Sequence, residues 1–130
     1  MGEVLGNVKP GFQVLAGGAG FLLPALAVGA VGGILASANI APVHCLSIYS
    51  SFITGDFTRA REMQHSIIPL NAAVTARWGV PALKAAMDML GLYGGHVRRP
   101  LLPVNDDVGE QLTSLMNGNN LMIYKENNIQ

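Results

Sequence analysis

Residues 12–42 read FQVLAGGAGFLLPALAVGAVGGILASANIAP, and whether this stretch spans a membrane or folds as a buried strand–helix–strand unit decides the fold. It lies within a longer interval, from Lys9 to Asp56, that holds no Asp, Glu, Lys or Arg. Residues 19–41 are long and apolar enough for a transmembrane helix, which needs about 20 such residues. Pro24, Gly29, Gly32 and Gly33 interrupt the run at close intervals, and Asn39 stands near its end. No Trp belt or cluster of positive charge flanks it. The strand–helix–strand reading explains the glycines that a span merely tolerates. Residues 12–16 form a short apolar run ending at Gly17-Gly18, a strand followed by a loop. Residues 21–28 suit a short buried helix with Pro24 in its first turn, where its missing amide is harmless. Gly29 ends that helix, and residues 33–36 give a second strand. Continuous apolar runs without alternation mark parallel strands covered on both faces.

The remainder reads as helix. Pro42 stands at a first-turn position, and Val43, Leu46, Tyr49, Phe52 and Ile53 follow at helical spacing up to Gly55. Asp56 can cap the next helix by accepting from its free first-turn amides. That helix carries Phe57, Ala60, Met63, Ile67, Asn71 and Val74 along one face, with a kink expected at Pro69. Pro81 opens a third helix, with Leu83, Met87 and Leu90 as its stripe and Gly91 as its stop. After a Gly/Pro-rich loop (91–103), Asp106 or Asp107 caps a fourth helix bearing Leu112, Leu115 and Met116, and Gly118 ends it. Residues 1–118 make a single domain, and the Asn-rich residues 119–130 read as a polar, frayed tail.

Composition narrows the function classes. The 130 residues are 50% hydrophobic and 12% charged, where about a quarter is usual for charge. Such a surface favours self-association, so a homo-oligomer is expected. Net charge is zero, and the densest cation groups are Arg59 with Arg61 and Arg98 with Arg99. Nucleic-acid binding, which needs clustered cations to displace counterions, is excluded. The single cysteine, Cys45, can form no intrachain disulfide and fits a reducing, cytoplasmic setting. The start, Met1-Gly2-Glu3-Val4, lacks the basic and apolar regions of a signal peptide.

Side chains able to do chemistry are few and scattered. His44 and Cys45 precede Tyr49 on one helix, so a base and a nucleophile are conceivable there, although a buried Cys beside a partly exposed His is the commoner arrangement. His65 lies on the polar face of the second helix and His96 in a loop. The three histidines lack HxxE, HxxxH or CxxC companions, and no metal site is expected. Arg98-Arg99 could clamp a carboxylate or simply brace the loop. Gly17–Gly20 is no phosphate loop, because no Gly-Lys-Ser/Thr follows. Lys84 stands four residues before Asp88, the spacing of a helical ion pair.

The quoted stretch resembles strands seven and eight of the lysine-dependent pyruvate aldolases, the dihydrodipicolinate synthase and N-acetylneuraminate lyase family, with its pattern "vlsG…G..G.IS..aN..P". Gly55-Asp56 with Ala60 resembles the family's "GD…A". Residues 81–90, with Lys84, resemble "p.K.al…G", and Arg99-Pro100-Leu101 with Pro103 resembles "R.Pl.p". The phrase FQVLAGGAGF is nearest to the eukaryotic 4-hydroxy-2-oxoglutarate aldolase-like branch. The resemblance runs from about residue 12 to 104. It implies the end of a (β/α)8 barrel plus its helical extension. In the family the Schiff-base lysine, the tyrosine relay and the Gly-Thr-Thr carboxylate pocket belong to the first six strands, which these residues do not resemble. By the same resemblance Gly17 and Gly18 fall in the loop after strand seven, where absent side chains leave room for a keto acid. Ile34 falls where a strand-eight carbonyl faces the pocket.

The lysines present offer no replacement. A Schiff-base lysine must be desolvated or set beside a cation to react as the free amine. Lys9 lies in a polar lead-in, Lys84 on a helix and Lys125 in the tail. The expectation is a mainly α-helical protein with at most two short strands, an incomplete barrel completed by oligomerisation. It has no cofactor, and its catalytic residues stay unassigned. Three functions remain open: an aldolase-family piece without aldolase chemistry; a small enzyme recruited from that scaffold for an isomerase, cyclase or lyase step on a hydrophobic molecule; and a membrane or interaction module.

Overall fold

The computed structural model describes residues 1–121. After a short helix α1 (Gly2–Asn7) with no buried residue, the chain enters strand β1 (Leu15–Ala16). The sequence gives no sign of α1, because it buries nothing and so has no apolar stripe. A single helical turn (Ala19–Phe21) leads into α2 (Leu22–Ala27), with Pro24 inside its first turn. Gly29, at φ 105°, supplies the left-handed exit that side-chain-bearing residues avoid. Strand β2 (Gly32–Gly33) then lies parallel to β1, pairing Leu15 with Gly32 and Ala16 with Gly33.

Both strands are shorter than their apolar runs. The amide of Val31 donates to the Val14 carbonyl (3.0 Å) and that of Ile34 to the Ala16 carbonyl (2.9 Å). Beyond those bonds the second strand turns into a 3-10 segment (Ala36–Asn39), so the expected strand at 33–36 ends early. Among the described residues neither strand has another neighbour to hold its ends straight.

Helices α3 (Pro42–Ile53) and α4 (Phe57–Ala72) form the main packed pair. As the sequence suggests, Asp56 caps α4, its Oδ1 accepting from the Arg59 amide at 3.1 Å. The interruption expected at Pro69 falls later: α4 runs through that proline and widens into a π turn at Ala73–Arg77. The next helix, α5 (Gly79–Met89), starts two residues before Pro81, which occupies its first turn. Helix α6 (Asp106–Gly118) is capped by Asn105, whose Oδ1 accepts from the Val108 amide at 3.0 Å, and not by Asp106 or Asp107. Those two aspartates sit in the first turn, where carboxylates suit the positive end of the helix dipole.

The core is built from Leu22, Ile40, Ile48, Ile67, Leu70, Val74, Leu112 and Met116, all essentially inaccessible. Leu121 is also fully buried, although it lies in the segment read as tail; residues 122–130 lie outside the described residues. Helix α3 buries Cys45, Ile48 and Ser51. The apolar residues marked by their spacing, Val43, Leu46, Tyr49 and Ile53, form the opposite, exposed side. No helix among the described residues is long and apolar enough to cross a membrane.

Candidate functional site

Parallel β/α structures place ligands at the carboxyl ends of their strands, where side chains and loops converge. Here those ends carry Gly17 and Gly18 after β1 and Ile34 after β2. Alternation along the ladder puts Leu15, Gly17, Gly32 and Ile34 on one face and Val14, Ala16 and Gly33 on the other. Ala16 is fully buried, whereas Leu15 is 46% and Ile34 76% exposed, so the first face is open. Gly17 is exposed, and a Cβ there would meet nothing within 4 Å. Gly18 is half-buried, and a Cβ there would come within 2.9 Å of the Phe21 ring.

Two polar side chains from one face of α4, Gln64 and Asn71, hold the turns around this mouth. Gln64 is buried; its Nε2 donates to the Ala19 carbonyl (2.9 Å) and its Oε1 accepts from the Leu23 amide (2.8 Å). It thereby satisfies one of the free amides at the start of α2, where no residue of the helix's own serves as a side-chain cap. The Ser37 hydroxyl donates to Asn71 Oδ1 at 2.6 Å, fixing the turn that follows β2. Gly20 packs against the Asn71 amide so closely that a Cβ would lie 2.9 Å from Nδ2. Sequence reading placed Asn71 on an apolar face and passed over Gln64. Its only signal was a polar residue at the spacing of Ala60 and Ile67.

Among the described residues the mouth offers backbone groups and apolar side chains, and no acid, base or amine. Lys9 is exposed in the lead-in, and Lys125 lies outside the described residues. Lys84 and Asp88 do not pair with each other. Instead Lys84 Nζ donates to the Gly94 carbonyl at 2.5 Å, while Asp88 Oδ1 accepts from the Gly94 amide at 2.8 Å. The two ends of the Gly94 residue are thus clasped onto α5, beside a groove of about 230 Å³ that His96 also lines.

His44 and Cys45 do not form a catalytic pair with Tyr49. Burial lowers the His44 pKa and leaves its Nδ1 without a partner. Burial raises the Cys45 pKa, which keeps it a thiol at neutral pH and a poor nucleophile. Cys45 and Tyr49, with Leu22, Leu35 and Leu46, line an apolar groove of about 320 Å³, and neither a His nor a carboxylate converges on it. His65 and Arg98-Arg99 are exposed. Arg77 stacks over Trp78 at 4.3 Å and donates to Gln111 at 3.0 Å, a brace the sequence did not announce. Among the described residues no three His, Cys, Asp or Glu side chains group as a metal site.

The family model described as the dihydrodipicolinate synthetase family matches residues 1–118. The 4-hydroxy-tetrahydrodipicolinate synthase of Methanosarcina acetivorans is 40% identical over 101 residues, covering 77% of this chain and 34% of that protein. That of Natronomonas pharaonis is 32% identical over 117 residues, covering 89% and 40%. The crystal structure of dihydrodipicolinate synthase from Bacillus anthracis superposes with a TM-score of 0.84 at 28% identity, covering 90% of this chain and 40% of that one. The enzyme from Aquifex aeolicus gives 0.83 at 28%, covering 92% and 41%. The chain thus spans 34% to 40% of the length of these curated relatives. The motif order, the strand pair with its helical extension, and the match over residues 1–118 together make the chain a member of the dihydrodipicolinate synthetase family, corresponding to part of that family's barrel.

Proposed function

We propose that these residues form the closing segment of a dihydrodipicolinate synthetase-family barrel and have no pyruvate aldolase chemistry of their own. The observation that carries this reading is the open strand-pair mouth, where Gly17, Gly18 and Ile34 stand without an amine among the described residues. Of the lysines, Lys84 is spent on the Gly94 carbonyl and Lys9 is solvated, so neither is desolvated as a Schiff-base nucleophile must be. Gly17 leaves room for a keto acid, with the Phe21 ring beside Gly18 as one wall and the Ile34 backbone on the same side of the ladder. In this reading the segment shapes a pocket whose reactive groups come from elsewhere in the fold.

Within the family, the phrase at residues 12–21 supports the 4-hydroxy-2-oxoglutarate aldolase-like branch. The one cysteine, free and buried, supports a cytoplasmic setting. Left alone, the exposed apolar face supports association of the chain with itself. An independent enzyme recruited from the scaffold would need a pocket with converging acid–base groups. The apolar groove beside Cys45 has none, which favours the first reading. The test is to incubate the purified chain with 4-hydroxy-2-oxoglutarate and follow pyruvate release with lactate dehydrogenase. No release above a no-protein blank supports the proposal, and turnover abolished by Lys84→Ala overturns it.

A further inference from the structure

We infer that the groove between α5 and the loop at 95–104 is a binding site for a small organic monoanion, a carboxylate on a short apolar body, with Lys84 as the carboxylate's anchor. The groove shares no residue with the strand-pair mouth and does not depend on how the barrel is completed. It holds about 230 Å³, below the roughly 300–1,000 Å³ of sites for drug-sized ligands. Its occupant is therefore a molecule of few atoms. Ala85, Val97, Pro103 and Val104 line it with apolar surface, and Lys84, Asp88 and His96 bring the charged and polar groups.

Lys84 is half-buried, and its only hydrogen bond among the described residues goes to the neutral Gly94 carbonyl. An ammonium carries three donors, so two remain for a carboxylate, and partial burial strengthens a charge-assisted bond. The wall is set before a ligand arrives. Asp88 takes the Gly94 amide and Lys84 its carbonyl, and Gly94 lies so close to the Lys84 backbone that no Cβ fits. A preformed wall spares the ligand the cost of ordering the loop. Across residues 79–104, Lys84, Arg98 and Arg99 stand against Asp88 alone, three cations to one anion, which draws in negative charge. Asp88 on the groove wall opposes a second negative charge on the same ligand. Exposed His96 adds a ring N–H at the rim. Among the described residues it hydrogen-bonds to neither Lys84 nor Asp88, so no acid–base relay forms and the groove binds without reacting.

The test is titration of hexanoate into the isotope-labelled 130-residue chain, followed by amide chemical shifts and by calorimetry. Saturable shifts of the Gly94, Gly95 and Val97 amides are expected. Hexanol lacks the charge, inorganic phosphate lacks the apolar body, and adipate carries one charge too many. Each should bind at least tenfold more weakly than hexanoate. Lys84→Met should weaken hexanoate about tenfold or more, the loss of one charge-assisted hydrogen bond, and Lys84→Arg should recover most of it. Ala85→Phe fills the groove and leaves the bonds to Gly94 in place, so it should abolish binding with circular dichroism unchanged. Shifts that never saturate, hexanol binding as well as hexanoate, or hexanoate binding indifferent to Ala85→Phe would each overturn the inference.

Discussion

His44 lies in the first turn of α3 with Nδ1 buried and unpartnered, and burial depresses its pKa. A depressed folded-state pKa means that the unfolded chain binds the proton more readily. The neutral imidazole's contribution is therefore complete above the ordinary histidine value, about 6.5, and is lost as the pH falls through the folded value. Urea titrations between pH 8 and 5 should show stability dropping on the acid side, and His44→Gln should flatten that part of the slope. At Gly94 the constraint is steric. A Cβ would overlap the Lys84 carbonyl oxygen, which belongs to the helix backbone and has no room to yield. Gly94→Ala should cost about 3 kcal/mol, the upper end for overpacking, measured as a fall in urea midpoint. Neither role is visible in sequence, where His44 resembles a potential base and Gly94 one more loop glycine.

At the scale of elements, the structure hangs on α4. Its Gln64 reaches across to the start of α2, and its Asn71 to the turn after β2. Gln64→Leu fills similar space but strands the Leu23 amide and the Ala19 carbonyl. Its cost should be about 2–4 kcal/mol, the desolvation of two orphaned groups, against under 1 kcal/mol for a surface glutamine such as Gln111→Leu. Helix positions were legible because Pro42, Asp56, Gly91 and Gly118 punctuate the chain near the observed ends. Strand lengths were not, since a strand ends where its partner does and an apolar run carries no record of that. The cap of α6 shifted by one residue because Asn105, Asp106 and Asp107 are all competent caps, and only the backbone at Asn105 is extended there.

For the molecule as a whole, exposed apolar side chains stand at both ends of α2, on α3 and on the ladder. The charge-free interval made this legible in outline: it announced burial on both sides of the strand–helix unit. Which side the described residues fill could not be read, because α3 carries apolar residues on two sides and its polar stripe, His44, Ser47, Ser50 and Ser51, runs between them. The isolated chain should therefore self-associate. Light scattering on a sizing column should give a mass above the 13.7 kDa of one chain, and Leu46→Lys with Ile53→Glu should lower it. A monomer with Leu46 and Ile53 intact would contradict that expectation.

Gly17 and Gly18 follow β1 and Ile34 follows β2, at the carboxyl ends of the paired strands. Whether chemistry resides there depends on an amine, and the direct measurement is borohydride trapping. The purified chain would be incubated with pyruvate, reduced and weighed intact, with a full-length family aldolase as positive control. The account predicts the unmodified mass. A stable adduct mapped to Lys9, Lys84 or Lys125 would contradict it and identify the nucleophile.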